Sequence, residues 1–187
     1  MLAVTGSNGK STVDSLLASF AKAIGENVAL AGNLGQPILD LLLLEQADAI
    51  QQNNQPETVI VELSSFQLET LTSMKAIASS VLNLSDDHLD RHQTLANYQS
   101  IKQSIYPQAN IAVVSREDSA TLSLVNEQKC VSFGLDKPEK GHFGLGFIEN
   151  KQWLMFGDQA LVAIEKLPLA GMHNALNYMA ALALGYS

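Results

Sequence analysis

Hydrophobic and polar positions along the chain alternate between a strand-like and a helix-like period. Residues 2–4 form a short apolar run that predicts a strand. After a glycine-containing segment, apolar residues recur at helical spacing from Val13 to Ile24, and Gly25 is expected to end that helix. Residues 27–31 predict a second strand. This order of elements is typical of α/β proteins.

Two continuous apolar runs and a second helical pattern follow. Residues 58–63 and 77–84 are rich in aliphatic and β-branched side chains, as in strands that are buried on both faces. Residues 94–105 predict a helix, and its inward-facing side chains are expected to be Leu95, Tyr98, Ile101 and Ile105. Further predicted elements are a helix at 38–45, an exposed loop at 51–56, and strands at 111–114 and 130–133.

The pattern changes after Gly141. The short runs 143–148, 152–156 and 160–164 are separated by close turns and are antiparallel in style. An apolar helical pattern at 174–184 closes the chain. The expected fold is therefore a single α/β domain over residues 1–187. It has a mostly parallel, P-loop or Rossmann-like sheet with helices on both faces and a small antiparallel edge.

Composition narrows the possible function classes. The 187 residues carry a formal net charge of −8, which argues against general nucleic-acid binding. The apolar run at 38–44 is too short to span a bilayer, so we expect no membrane partner. The single cysteine, Cys130, cannot form an internal disulfide, which fits a cytoplasmic location. Both ends run directly into apolar elements, which favours a domain cut from a longer protein over a complete small protein with frayed ends.

The segment between the first strand and the first helix predicts phosphate binding. Its glycines let the backbone direct N–H groups at an anion, and the helix N-terminus adds partial positive charge. Lys10 would reach the β- and γ-phosphates, and Ser11 would hold Mg²⁺. The standard motif has a glycine where this chain has Val4, and a tight turn with a solvated lysine is the alternative. The expected nucleotide contacts are Gly6, Ser7, Asn8, Gly9, Lys10, Ser11 and Thr12.

Three more side chains are candidates for the same chemistry. Glu62 lies at the carboxyl end of a predicted strand, where α/β sheets place ligands and a carboxylate can bind Mg²⁺. His88 follows the next strand within an acidic turn. Lys102 projects toward the apolar stripe of its helix, where burial would favour the neutral amine. The alternatives are a capping or salt-bridged Glu62, a surface His88 and a snorkelling Lys102. By contrast, His92 and His142 carry no pattern and are assigned to the surface.

Taken in order along the chain, these motifs resemble those of the Mur ligase family. The loop Thr-Gly-Ser-Asn-Gly-Lys-Ser-Thr is similar to the family's phosphate loop, and the segment after Glu62, Leu-Ser-Ser-Phe-Gln-Leu-Glu, resembles the branch that adds D-glutamate. Other similar segments are Gly-Asn-Leu-Gly at 32–35, Asn-Leu-Ser-Asp-Asp-His-Leu-Asp at 83–90, the helix segment 98–102, and the motif at 171–177. The resemblance covers nearly the whole chain.

The resemblance implies the central ATP-binding domain of a three-domain ATP-dependent ligase. Such an enzyme joins D-glutamate to UDP-N-acetylmuramoyl-L-alanine through an acyl phosphate in peptidoglycan precursor synthesis. N- and C-terminal domains would flank this one, and the isolated fragment is expected to be inactive. The alternatives are another Mur or folylpolyglutamate-type amide ligase, or a P-loop nucleotide-binding protein without ligase chemistry.

The resemblance also implies a set of roles. The implied cofactors are ATP and two Mg²⁺ ions, and the implied catalytic residues are Lys10, Glu62, His88 and Lys102. The implied metal ligands are Ser11, Glu62, His88 and, if carbamylated, Lys102. Further implied contacts are Asn33, Ser64 and Gln67 at the acceptor end, and His173, Asn174 and Asn177 near the adenine.

Overall fold

The computed structural model of the chain describes residues 1–33, 35–37, 40, 56–85, 89–122, 125 and 129–187. The predicted helix at 38–45, apart from Asp40, lies outside the described residues, as does the predicted loop at 51–56 apart from Pro56. His88 also lies outside them. In the described ranges, no helix combines the length and the apolar character needed to cross a bilayer.

Strands and helices alternate through the described chain. The strands are β1 Leu2–Thr5, β2 Val28–Gly32, β3 Thr58–Glu62, β4 Ala76–Val81, β5 Ala109–Ser115, β6 Lys129–Phe133, β7 Phe143–Ile148, β8 Lys151–Phe156 and β9 Gln159–Ala163. The helices are α1 Lys10–Ala23, α2 Ser65–Leu68, α3 Leu89–His92, α4 Leu95–Gln103 and α5 Met172–Tyr186. Short 3₁₀ turns occupy Tyr106–Gln108, Ser119–Thr121 and Ile164–Lys166.

The strands form one sheet in the order β2-β3-β1-β4-β5-β6-β7-β8-β9. Pairing is parallel from β2 to β7 and antiparallel between β7, β8 and β9. The parallel strand β6 meets β7 at the pair Phe133 and Phe143. The predicted fold class, a mostly parallel sheet with an antiparallel edge, is confirmed.

Alternation along the central strands divides the core between two faces of the sheet. Leu2 and Val4 of β1 point to a cluster that includes Leu17 of α1 and Met179 of α5. Ala3 points the other way, to a cluster that includes Ile105. Because both faces are covered, β1 is apolar as far as Val4, and the polar side chains of Thr5 and Glu62 lie at the carboxyl ends of β1 and β3.

Several element boundaries differ from the sequence-based expectation. The strand predicted at 77–84 ends at Val81. Helix α4 begins after Thr94, whose Oγ1 accepts a hydrogen bond from Asn97 N, and Tyr98 and Ile105 are buried as predicted. Leu95, however, is 36% exposed, so its predicted inward position is wrong.

Candidate functional site

The phosphate-loop segment connects β1 to α1 at the carboxyl edge of the sheet. Val4, where the standard motif has glycine, lies fully buried in β1 and pairs with Glu62 and Ser80 on the neighbouring strands. Gly9 has a φ of 84°, which favours glycine, and α1 starts directly after it without a side-chain cap. The first-turn N–H groups of α1 therefore lack a capping side chain and are suited to an anion.

Asn83 holds the outer part of this loop in place. Its carbonyl accepts from Ser7 N at 2.9 Å, and its Oδ1 accepts from Asn8 N at 2.8 Å. In return, Asn83 Nδ2 donates to Asn8 O at 3.0 Å. The amides of Ser7 and Asn8 are thus engaged by the protein, so the donors suited to a phosphate lie from Gly9 onward.

Lys10 folds back over the loop. Its Nζ donates to the carbonyl oxygens of Gly6 and Ser7, at 3.0 Å each. The ammonium group therefore lies at the rim of the loop, where the sequence places phosphate oxygens. A cation bound to two carbonyls can exchange them for phosphate oxygens at little cost.

Glu62 is buried beside the start of α1, with 1% of its surface exposed. Its Oε2 accepts from Ser11 Oγ at 2.8 Å, and its Oε1 accepts from Asn33 Nδ2 at 2.9 Å. Asn33 N also donates to the Glu62 carbonyl at 2.8 Å. The structure thus brings together Ser11, Asn33 and Glu62, which the sequence assigned to one site from three separate segments.

Lys102 reaches the same loop from the opposite face of the sheet. Its Nζ donates to Thr5 Oγ1 at 2.9 Å and to Gly6 O at 3.1 Å, and the residue is 2% exposed. The alternative of a snorkelling lysine is therefore wrong. Thr5 in turn donates to the Leu63 carbonyl, which ties the lysine to the end of β3.

Ser64 and Gln67 form a capping box at the start of α2. Ser64 Oγ accepts from Gln67 N, and Gln67 Oε1 accepts from Ser64 N at 2.9 Å. The spacing Ser-x-x-Gln is the sequence signature of such a box and could have predicted this short helix. Both side chains therefore have a structural task, and their contact with an acceptor stays a prediction.

The start of α5 forms the other wall of a cleft of about 510 Å³ beside the loop. Its Asn177 lies so close to Gly9 that a Cβ on this glycine would come within 2.6 Å of Asn177 Oδ1. The cleft brings together the predicted loop and helix residues Asn8, Gly9, Thr12, His173, Asn174 and Asn177. Its lining also includes residues that sequence reasoning missed, among them Ser115 at the end of β5 and Glu117 and Asp118 just after it.

The two histidines assigned to the surface differ in their burial. His92 is 1% exposed, because its ring packs between the rings of Phe66 and Tyr98. His142 is half-buried, and its Nδ1 accepts a hydrogen bond from Ser132 N at 2.9 Å. The expectation of a surface position is therefore wrong for His92, whereas His142 keeps part of its surface exposed.

Asp14 is a buried acid that sequence reasoning also missed. It is 1% exposed, and neither carboxyl oxygen has a hydrogen-bond partner in the described structure. Burial and, to a smaller extent, the nearby Glu62 raise the pKa of Asp14 to about 8, and Lys10 opposes the rise. Helical spacing could have found it, because Asp14 shares the buried face of α1 with Leu17, Ala18 and Ala21.

A glycine loop between a strand and a helix, with a buried carboxylate at the carboxyl edge of a parallel sheet, defines a P-loop type of nucleotide-binding domain. The sequence profile of the Mur ligase middle domain matches residues 4–185. The chain therefore belongs to the Mur ligase middle-domain family.

Curated relatives narrow the comparison within this family. The chain is 74% identical, over all of its length, to UDP-N-acetylmuramoylalanine--D-glutamate ligase of Colwellia psychrerythraea, and it spans 40% of that protein. It is 41% identical to the protein of the same name from Legionella pneumophila strain Paris, with 98% of the chain and 40% of the relative covered. The chain thus spans about two fifths of the length of these relatives.

Solved structures share the fold. A UDP-N-acetylmuramoyl-L-alanyl-D-glutamate--2,6-diaminopimelate ligase superimposes with a TM-score of 0.73 at 24% identity, covering 99% of this chain and 42% of the other. MurF from Acinetobacter baumannii gives 0.72 at 20% identity, with 99% and 42% covered. At such identities the likeness bears on the fold alone.

Proposed function

We propose that this chain is the ATP-binding domain of a ligase that joins D-glutamate to UDP-N-acetylmuramoyl-L-alanine. The observation that carries the proposal is the convergence of Ser11, Glu62 and Lys102 on one phosphate loop. It occurs in a chain that is 74% identical to a protein named for this reaction. The flanking N- and C-terminal domains of a longer, cytoplasmic enzyme would supply the remaining contacts.

The proposed reaction has two steps. An oxygen of the acceptor carboxylate bonds to the γ-phosphorus of ATP, and the bond from that phosphorus to the departing ADP breaks. The amine of D-glutamate then attacks the acyl carbon, phosphate leaves, and the amine loses a proton. Lys10, at the rim of the loop, would offset negative charge on the transferred phosphoryl group. The first turn of α1 would hold the phosphates through its N–H groups.

The residues around Glu62 fit a magnesium ion. Mg²⁺ prefers oxygen ligands, and the Glu62 carboxylate and the Ser11 hydroxyl are 2.8 Å apart where the end of β3 meets the first turn of α1. When bound, Mg²⁺ would neutralise part of the charge of the phosphates. Among the described residues, no group of three histidine, cysteine, aspartate or glutamate side chains is placed to hold a metal. Water and phosphate oxygens would therefore complete the coordination.

The proposal includes a second Mg²⁺ ion, which would lie on the opposite side of the loop. Its ligands would be His88 and a carbamylated Lys102, which forms when the neutral amine bonds to CO₂ and releases a proton. The burial of Lys102 supports this chemistry, because a buried amine favours its neutral form.

Substrate contacts extend from the two sides of the loop. Asn33 touches Glu62, and Ser64 and Gln67 begin the helix that follows β3, so these three residues would face the acceptor. The helix start at His173, Asn174 and Asn177 would face the adenine, because it shares a cleft with Gly9 and Thr12.

The proposed function is tested by turnover of the longer enzyme that contains this chain. Phosphate release would be measured with Mg-ATP, UDP-N-acetylmuramoyl-L-alanine and each candidate amino acid in turn. Release that requires D-glutamate is the expected result. Release with a different amino acid would indicate another ligase of the family, and nucleotide binding without amino-acid-dependent release would indicate a P-loop protein without ligase chemistry.

A further inference from the structure

His92 occupies a buried position between two helices of the proposed site. It ends α3 and is 1% exposed. Its Nε2 lies 2.9 Å from Ser65 Oγ in α2, and its Nδ1 lies 3.3 Å from Glu69 Oε1 just after that helix. A buried histidine with a partner at each ring nitrogen has a fixed orientation, because both contacts constrain the ring plane.

The partners decide which nitrogen carries the proton when the ring is neutral. Arg91 donates to Glu69, and this hydrogen bond lowers the pKa of the Glu69 carboxyl, so Glu69 can only accept. Because the Glu69 carboxylate lies 3.3 Å from Nδ1, its charge favours the tautomer with the proton on Nδ1. Nε2 is then an acceptor, and the Ser65 hydroxyl donates to it. In this link of Ser65, His92 and Glu69, each polar atom therefore has one defined role as a hydrogen-bond donor or acceptor.

The order Ser65, His92, Glu69 has the connectivity of a nucleophilic triad, but its surroundings exclude that function. Ser65 is 2% exposed and His92 is 1% exposed, so an electrophile could not approach the hydroxyl. The link joins elements of the structure and does not face a substrate.

The ring of His92 extends this link toward the phosphate loop. It lies 5.4 Å from the ring of Tyr98 in α4, centroid to centroid. The Tyr98 hydroxyl lies 3.1 Å from Ser7 Oγ, and Ser85 N donates to the same Ser7 oxygen at 3.0 Å. Lys102 Nζ lies 5.5 Å from the centre of the Tyr98 ring. Tyr98 therefore contacts the loop, the lysine and the ring of His92.

We propose that His92 is a positioning residue, which holds Tyr98, and through it Ser7 of the phosphate loop, in register with helix α2 after Glu62. This inference rests on the proposed ligase function. It joins the acceptor side of the site, at Ser64 and Gln67, to the phosphate side. Small displacements matter for such a link, because a shift of about 1 Å in reacting groups can cost on the order of 100-fold in rate.

The test is His92→Phe in the longer enzyme, because phenylalanine keeps the ring contacts but removes both nitrogens. We expect kcat to fall by about 10- to 100-fold while KM for the acceptor changes little, since the groups are misaligned but still present. His92→Gln, which returns one hydrogen-bonding amide, should recover part of kcat. His142→Phe is the matched control at a half-buried histidine outside the site, and it should lower the melting temperature without this loss of kcat.

Ser65→Ala provides a second variant in case His92→Phe does not fold. It removes one hydroxyl with little change in volume, and we expect a smaller fall in kcat. The double variant should lose no more than His92→Phe alone, because both changes break one network. Parental kcat in a folded His92→Phe enzyme, or an equal loss in His142→Phe, would overturn the positioning role.

The proposed function can fail separately from this inference. Mg-ATP affinity of the longer enzyme without its other substrates, measured by calorimetry, depends on the placement of the loop and not on the amino acid that is ligated. We expect His92→Phe to weaken it by about 10-fold and His142→Phe to leave it unchanged. Equal affinities for the parent and His92→Phe would count against the inference, whatever substrate the longer enzyme uses.

Discussion

Ser11 Oγ donates a 2.8 Å hydrogen bond to Glu62 Oε2 and so joins the first turn of α1 to the end of β3. The two residues are far apart in sequence, and each has a predicted Mg²⁺-binding role. Their contact places a hydroxyl and a carboxylate next to the N–H groups that would hold phosphates. The affinity for a nucleotide should therefore depend on Mg²⁺, and this dependence should require Ser11 and Glu62.

We expect Ser11→Ala to weaken Mg-ATP binding to the chain by on the order of 10- to 100-fold, as for the loss of a metal ligand or its partner. Binding of ATP measured in EDTA should change much less. Ser15→Ala is the matched control, because Ser15 lies one turn further on α1 and its hydroxyl donates to the Ser11 carbonyl rather than to a carboxylate. Calorimetric titrations with and without Mg²⁺ provide the measurement. An equal loss under both conditions would contradict the metal role.

Lys102→Ala should abolish ligation in the longer enzyme without unfolding it. The lysine is buried against Thr5 and Gly6, and the proposed carbamate would be lost with it. Short carboxylic acids added to the assay should restore part of the phosphate release if the modified lysine supplies a carboxylate. The exposed Lys22→Ala serves as the control and should retain full activity. Full activity in Lys102→Ala would exclude the role.

Asp14 should make the stability of the chain depend on pH. Its pKa is raised from 3.8 to about 8 in the folded chain, so between these values the unfolded state loses the proton first. The free energy of unfolding should then fall as pH rises, by at most about 1.4 kcal/mol per pH unit, and the loss should level off above pH 8.

Asp14→Asn removes this titration. It should be more stable than the parent at pH 8 to 9, and the advantage should shrink toward pH 4, where the parent carboxyl is protonated. Urea unfolding in metal-free buffer across this range measures the difference. Asp158→Asn is the control, since that side chain is 94% exposed. A constant difference between Asp14→Asn and the parent at every pH would contradict the prediction.

Gly9→Ala should weaken nucleotide binding because a Cβ there would lie 2.6 Å from Asn177 Oδ1 and displace that side chain. Gly25→Ala separates this effect from backbone strain, because Gly25 has a similar φ of 89° but nothing within 4 Å of its Cβ position. Each variant should lose about 1 to 2 kcal/mol of stability. Only Gly9→Ala should raise the dissociation constant of Mg-ATP in calorimetry, and an equal rise in both would show that strain alone is responsible.

The 187-residue chain by itself should fold and bind Mg-ATP weakly, but it should not ligate. Folding is expected because helices cover both faces of the sheet and two apolar clusters are buried. Catalysis is expected to fail because remote contacts position the acceptor and D-glutamate. A phosphate-release assay with both substrates tests this, and turnover on the order of 1 per second or faster would contradict it.

The sequence by itself determined most of the elements and most of the chemistry of the loop, but not the short helices α2 and α3. Apolar runs on strands that are buried on both faces, and helical spacing from Val13 onward, are local patterns that the fold kept. The loop from Gly6 to Thr12 was recognisable because glycine spacing and a following helix are also local properties. The inward orientation of Lys102 could also be predicted, because its neighbours on the same helix form an apolar stripe.

Only the tertiary structure decided which of these segments touch. The register of β1 against β3 and β4 brings Glu62 and Asn83 to the loop, and such pairing joins residues that no local pattern connects. The burial of His92 was missed for the same reason: its Phe66 and Tyr98 contacts come from other helices. A side chain's environment depends on packing between distant segments, whereas its secondary structure depends largely on its neighbours in sequence.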